Sequence, residues 1–128
     1  FLQTLVDNPE SNVSKYNCSA ILSICEKLGI QPNRFRWSSE LPHVGNSNDL
    51  LVSLTKLVGG TAYLTGKGAV AYLDEAIYET AGVRLIHQDF VHPEYSQHNT
   101  VSFIAGLSIV DALMNIGYKG VAELLACS

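Results

Sequence analysis

The chain has 128 residues, 47% hydrophobic and 16% charged, a balance that excludes a disordered polypeptide and allows one real core but not two ordinary domains. Its formal net charge is -4, with the eight Lys and Arg residues scattered, which excludes the clustered basic surface of a nucleic-acid binder. No apolar run approaches the roughly 20 residues of a spanning helix, and no secretory signal is visible, so no membrane span is expected.

The sequence opens on an apolar stretch, residues 1–6, that does not begin with methionine. It reads as the end of an element that starts upstream, so the chain is expected to be a fragment of a longer protein. Residues 13–28 place Val13, Tyr16, Ala20, Ile21, Ile24 and Leu28 at helical spacing. Ser11 or Ser14 is expected to cap this helix and Gly29 to stop it. Cys18 and Cys25, seven residues apart, share one face of it, and with Cys127 the cysteines number three, so a complete disulfide framework is excluded. Free buried thiols in a reducing cytoplasm are favoured over a redox or metal role.

Residues 34–37, Arg-Phe-Arg-Trp, alternate basic and aromatic and predict a half-exposed strand. Ser47 is expected to cap a helix that runs through Asp49, Leu50, Leu51, Leu54 and Leu57 and is ended by Gly59-Gly60. Residues 61–64 predict a central strand, and Gly66-Lys67-Gly68 turns the chain into a helix that runs to Gly82, with Asp74 and Glu75 inside it facing water. Residues 83–87 predict the third strand. A long loop, residues 90–105, leads to a short apolar helix over residues 108–114 that ends at Gly117, and residues 119–126 form a last amphipathic helix. Strands alternating with helices define an α/β fold of one compact unit, a parallel, Rossmann-like sheet of at least three strands with right-handed helical crossovers.

In open parallel sheets ligands bind beyond the carboxyl ends of the strands, and there the sequence concentrates small polar residues and glycines. Thr65-Gly66-Lys67-Gly68 offers backbone N–H groups, a helix start and a lysine, which suits an anion or another polar group. It lacks the spacing of a Walker A loop, and the competing reading is a tight turn that needs its glycines for backbone geometry. Ser38, Ser39 and Glu40 follow the first strand and either hold a sugar or ribose or close the turn. His87, Asp89, His92 and His98 crowd one stretch, but their spacing matches no standard zinc site, so no metal is expected. His87 or His92, oriented by Asp89, is instead a candidate acid or base. The competing reading has these side chains satisfying the loop. No cofactor is assigned.

Several of these segments occur together in a known family. Tyr63-Leu64-Thr65-Gly66-Lys67-Gly68, Tyr72-Leu73-Asp74-Glu75, Gln88-Asp89-Phe90, His92-Pro93-x-Tyr95 and Phe103-Ile104-x-Gly106-Leu107-Ser108-Ile109 resemble the C-terminal half of the WbqC-like family. Asn12-Val13-Ser14, Arg36-x-Ser38-Ser39-Glu40-Leu41 and Asp49-Leu50-Leu51 fit it in the same order. Two positions depart from the family pattern: Ser96 and Ala105 each stand where a proline is usual. The resemblance implies a bacterial protein of surface-polysaccharide or sugar-modification pathways, with a transferase acting on an activated, nucleotide-linked sugar or an acyl group as the usual suspicion. It also implies an N-terminal half with a His-Gln-Pro-Asn motif, which these residues do not contain. The expected partner is a small sugar- or nucleotide-type ligand, and the alternative is a non-catalytic partner or assembly domain of the same pathway.

Overall fold

The computed structural model describes residues 1–31, 33 and 35–126. They group into two compact units, Phe1–Arg34 with His92–Ser128, and Phe35–Val91.

The first unit is helical. Its helices are α1 (Leu2–Val6), α2 (Val13–Lys27) and α5 (Ile109–Ala126); α3 (Ser47–Leu57) and α4 (Glu75–Thr80) belong to the second unit. Asn12, rather than either expected serine, caps α2, its side chain accepting from the Lys15 N–H at 3.0 Å. The amide carbonyl of asparagine reaches the third N–H of the helix as well as a serine hydroxyl does. At the other end Ile30 N–H donates to Cys25 O and Gly29 N–H to Glu26 O, the six-to-one and five-to-two pair that closes a helix. The run from Ile109 to Ala126 is broken at Gly117, where φ is 67° and ψ is -179°, so it comprises two short helices meeting at the expected glycine. Ile24, Ala112, Leu113 and Val121 form the buried centre, with Leu2, Leu5, Leu28 and Ile116 packed around it.

The second unit carries the sheet. Strands β1 (Ala62–Thr65) and β2 (Arg84–His87) pair in parallel, with Ala62 opposite Arg84 and Thr65 opposite His87. Helices α3 (Ser47–Leu57) and α4 (Glu75–Thr80) cover one face. Alternation along the strands sends Tyr63 and Leu85 to that face, where they pack on buried Val52, Tyr78 and Val83. Both helices stop at a glycine with positive φ just before a strand: Gly59 at 75° and Gly82 at 68°. The left-handed turn lets Gly60 N–H reach Thr55 O and Val83 N–H reach Tyr78 O, and the chain then runs extended.

Two expectations require correction. Residues 35–37 run without ladder partners, so the third strand of the Rossmann-like sheet does not appear among the described residues; Arg34 lies outside them. An Arg-Phe-Arg-Trp alternation suits an extended backbone but does not supply an edge to pair with. The helix expected from Gly68 to Gly82 is also two pieces, a 3-10 helix (Lys67–Tyr72) and α4. Asp74 divides them by capping α4, its carboxylate accepting from Ala76 N–H at 3.1 Å. Asn48 fixes the break, donating to Tyr72 O at 3.2 Å and accepting from Asp74 N–H at 3.4 Å. Asp74 therefore stands at a helix start, not in a helix interior.

Candidate functional site

The two strands end together. Gln88 N–H donates to Thr65 O at 2.8 Å, extending the ladder by one bond, so residues 66–68 and 87–89 leave the sheet side by side. Lys67 Nζ then pairs with the Asp89 carboxylate. His87 Nε2 lies 3.6 Å from Glu75 Oε1, on the first residue of α4. One lysine, one imidazole and two carboxylates thus stand in two pairs near the carboxyl end of the sheet. With His87 neutral the group is net negative, so Lys67 is not a free cation awaiting an anion; an anionic ligand has to take it from Asp89. All four side chains are well exposed, from 44% for His87 to 82% for Asp89, which leaves the ion pairs screened by water.

Glu75 is the member the sequence does not disclose. The signal was present in Asp74, a strong N-cap residue, which marks Glu75 as a first-turn acid instead of an interior one.

The glycines of the turn have an unexpected status. Gly66 has φ -84° and ψ 163°, an ordinary extended conformation, and Gly68 has no positive φ. A Cβ built on either meets nothing within 4 Å. Backbone geometry therefore does not demand glycine at either position. The 3-10 helix that starts here spans six residues and lacks a side-chain cap, so it supplies little of the positive end that a long helix would have. Thr65 is buried, and its hydroxyl lies 3.4 Å from Gly66 O, which makes it part of the sheet's end wall.

The other candidates fall elsewhere. Ser38, Ser39 and Glu40 form a 3-10 turn held by backbone bonds, Glu40 N–H to Trp37 O and Leu41 N–H to Ser38 O. Ser38 lines a cleft of ≈ 250 Å³ whose walls include Leu41, Leu51, Leu54 and Tyr63. His92 belongs to the first unit, where its Nε2 lies 4.0 Å from the place a Cβ on Gly106 would occupy. In that unit the long loop is fastened by polar groups. Tyr95 Oη donates to Asp111 Oδ2 at 2.7 Å, and the phenol pKa is raised, chiefly by that bond to the carboxylate and further by burial. Gln97 Nε2 also donates to Asp111 Oδ2, at 3.3 Å, and His98 N–H donates to Asn115 Oδ1 at 2.7 Å. Among the described residues no group of three or more His, Cys, Asp or Glu is placed to hold a metal ion, and no helix is long and apolar enough to cross a membrane.

The helices and the two-stranded parallel sheet define a mixed α/β protein that is mostly helical. The WbqC-like protein family model matches residues 1–123, and the chain belongs to that family. It is 25% identical over 123 residues to an uncharacterized protein of Mycobacterium tuberculosis, Rv1507c. That match takes in 95% of this chain but 52% of Rv1507c, so the chain spans about half the length of that relative. No solved structure matches it.

Proposed function

We propose that this WbqC-like chain contributes the strand-end half of a transferase site that acts on an activated sugar or acyl group in a bacterial surface-polysaccharide or sugar-modification pathway. The observation that supports the reading is the Thr65–His87 register, with Lys67 paired to Asp89 and His87 to Glu75 at the carboxyl ends of the strands, the end at which open parallel sheets hold ligands. In this reading His87, held beside a carboxylate, accepts the acceptor's proton as the acceptor bonds to the sugar or acyl carbon and the bond to the nucleotide or thiol leaving group breaks, and Lys67 exchanges Asp89 for the negative charge that departs with that group. Gly66 and Gly68, which neither φ nor crowding requires, leave room for a ligand to approach the backbone. Ser38, Ser39 and Glu40 hold a more distant polar part, and His92 acts only through the whole protein. A calorimetric titration with UDP-glucose and with acetyl-coenzyme A tests the reading: Lys67→Ala should weaken the ligand that wild type binds, and equal affinities would leave the turn as structure alone.

The high exposure of all four charged side chains favours a second reading, a non-catalytic assembly domain of the same pathway. His87→Gln in the full-length protein separates the two. Loss of turnover with unchanged ligand affinity supports the transferase, and full activity supports the assembly domain.

A further inference from the structure

Glu75 reaches His87 because α4 begins where it does, and that start is fastened from another helix. Asn48, on the first turn of α3, donates its amide to Tyr72 O at 3.2 Å and accepts from Asp74 N–H at 3.4 Å. Both bonds fall on the junction between the 3-10 helix and α4, so one side chain pins that junction to α3 at two points. Asp74 then caps α4 through Ala76 N–H at 3.1 Å, and the next residue is Glu75, whose Oε1 lies 3.6 Å from His87 Nε2. A helix of six residues has too few internal bonds to fix its own first turn, because helix nucleation is costly and each added bond returns little. The placing has to come from outside the helix, and Asn48 supplies it.

The chain leading into Asn48 is itself closely defined. Ser47 sits at φ 47°, a left-handed conformation that a residue with a side chain adopts at a cost, and Gly45 at 80°. A Cβ on Gly45 would lie 2.6 Å from Asp49 Cβ, so this turn is closed against the start of α3. Val44 N–H donates to Ser53 Oγ at 3.1 Å, which anchors the turn from its other side. Strained residues persist where their surroundings fix them, and here they adjoin the clamp.

We propose that Asn48 is a positioning residue of the strand-end site: by tying the start of α4 to α3 it holds the Glu75 carboxylate against His87. The inference rests on the transferase reading for its use, since His87 needs an oriented carboxylate when it moves a proton. The competing role is that of a brace between two helices, in which Glu75 keeps its place without Asn48.

The histidine ring NMR signals of the full-length protein separate the two roles. His87 is assigned by the signals that disappear in His87→Gln. At one fixed pH, Glu75→Gln removes the charge beside the ring and should move those signals. Asn48→Ala should move them in the same direction. The double variant should move them no further than Glu75→Gln alone, because two changes that act through one contact do not add. Should Asn48→Ala fail to fold, Asp74→Ala frees the same first turn from its cap and carries the same expectation. Lower stability with unmoved His87 signals would overturn the proposal and leave Asn48 a brace. So would an equal displacement by Asn48→Ala with and without Glu75, or unmoved signals in Glu75→Gln, which would mean that there is no pair to position. The signals report the pair whatever the reaction is, whereas full turnover by His87→Gln would defeat the transferase reading and leave the pair standing.

Discussion

Gln97 pairs with the backbone of Ile104 as a neighbouring strand would: its side-chain Nε2 donates to Ile104 O at 3.0 Å, and its Oε1 accepts from Ile104 N–H at 2.8 Å. The two segments around Ser96 and Ala105, where the family resemblance leads one to expect proline, are thus stitched across the loop by one amide. Proline limits the unfolded chain, and its loss costs roughly 0.4–1 kcal/mol per site. The Gln97 clamp keeps the folded loop defined without it.

Gln97→Glu keeps the shape of the side chain but removes its donor and sets a second carboxylate beside Asp111. The chain should lose about 1 kcal/mol, since the lost donor serves the exposed Ile104 carbonyl and the part-buried Asp111 carboxylate while the acceptor for Ile104 N–H is kept. Urea unfolding measures it. A change below about 0.5 kcal/mol would mean that the clamp holds nothing that the rest of the loop does not.

Tyr95 gives this unit an alkaline limit. Its pKa is raised in the folded chain, first by the hydrogen bond to Asp111, so the protonated phenol is favoured by folding. The stabilisation is complete below the ordinary tyrosine pKa of about 10 and is lost as pH rises through the higher folded value. Tyr95→Phe should lower stability at pH 7 and flatten its decline above about pH 10, read from urea midpoints across that range. Parallel curves for the two proteins would count against the Asp111 bond as the source. Tyr78 shares the direction of shift, by burial, so the difference between the proteins is the quantity to follow.

Glycine substitutions separate the two kinds of turn. Gly82→Ala forces a side chain into φ 68° and should cost about 1–2 kcal/mol. Gly66→Ala meets open space at an ordinary φ and should be neutral or stabilising by up to about 1 kcal/mol. Thermal melts of the two variants test the contrast. If Gly66→Ala also abolishes ligand binding, the vacancy at that backbone has a use outside folding.

At the strand ends, Lys67→Ala and Asp89→Asn should each move stability by less than about 1 kcal/mol, since the pair is largely in water. A larger loss would show that the cluster holds the sheet end together, and its role in ligand binding would then be inseparable from folding.

The C-terminal ends of the helices were the most legible feature of this sequence, because Gly29, Gly59, Gly82 and Gly117 each answer a local steric demand that no tertiary contact alters. The parallel pair of strands followed from the same punctuation. Of the candidate site, the Lys67–Asp89 pairing was legible, since strand ends in register leave the sheet side by side, whereas His87 pairs with Glu75 and not with Asp89. Glu75 was hidden because its approach to His87 depends on where Asp74 restarts the helix, a decision taken by Asn48 some 26 residues away. The strand expected at residues 34–37 does not form over the described residues 35–37 for a related reason, since pairing is decided by a partner and not by propensity.

The closing of α4 has a consequence for how this family can vary in length. Val83 N–H is bound to Tyr78 O, and β2 begins at the next residue, so helix and strand share a junction with no slack. One inserted residue there would rotate β2 by half a period, turning Leu85 outward and Ile86 inward and carrying His87 away from Glu75. Insertions and deletions among relatives should therefore gather between β1 and α4 or beyond Asp89, and the dipeptide Gly82-Val83 should behave as a fixed ruler from which the position of the histidine is measured.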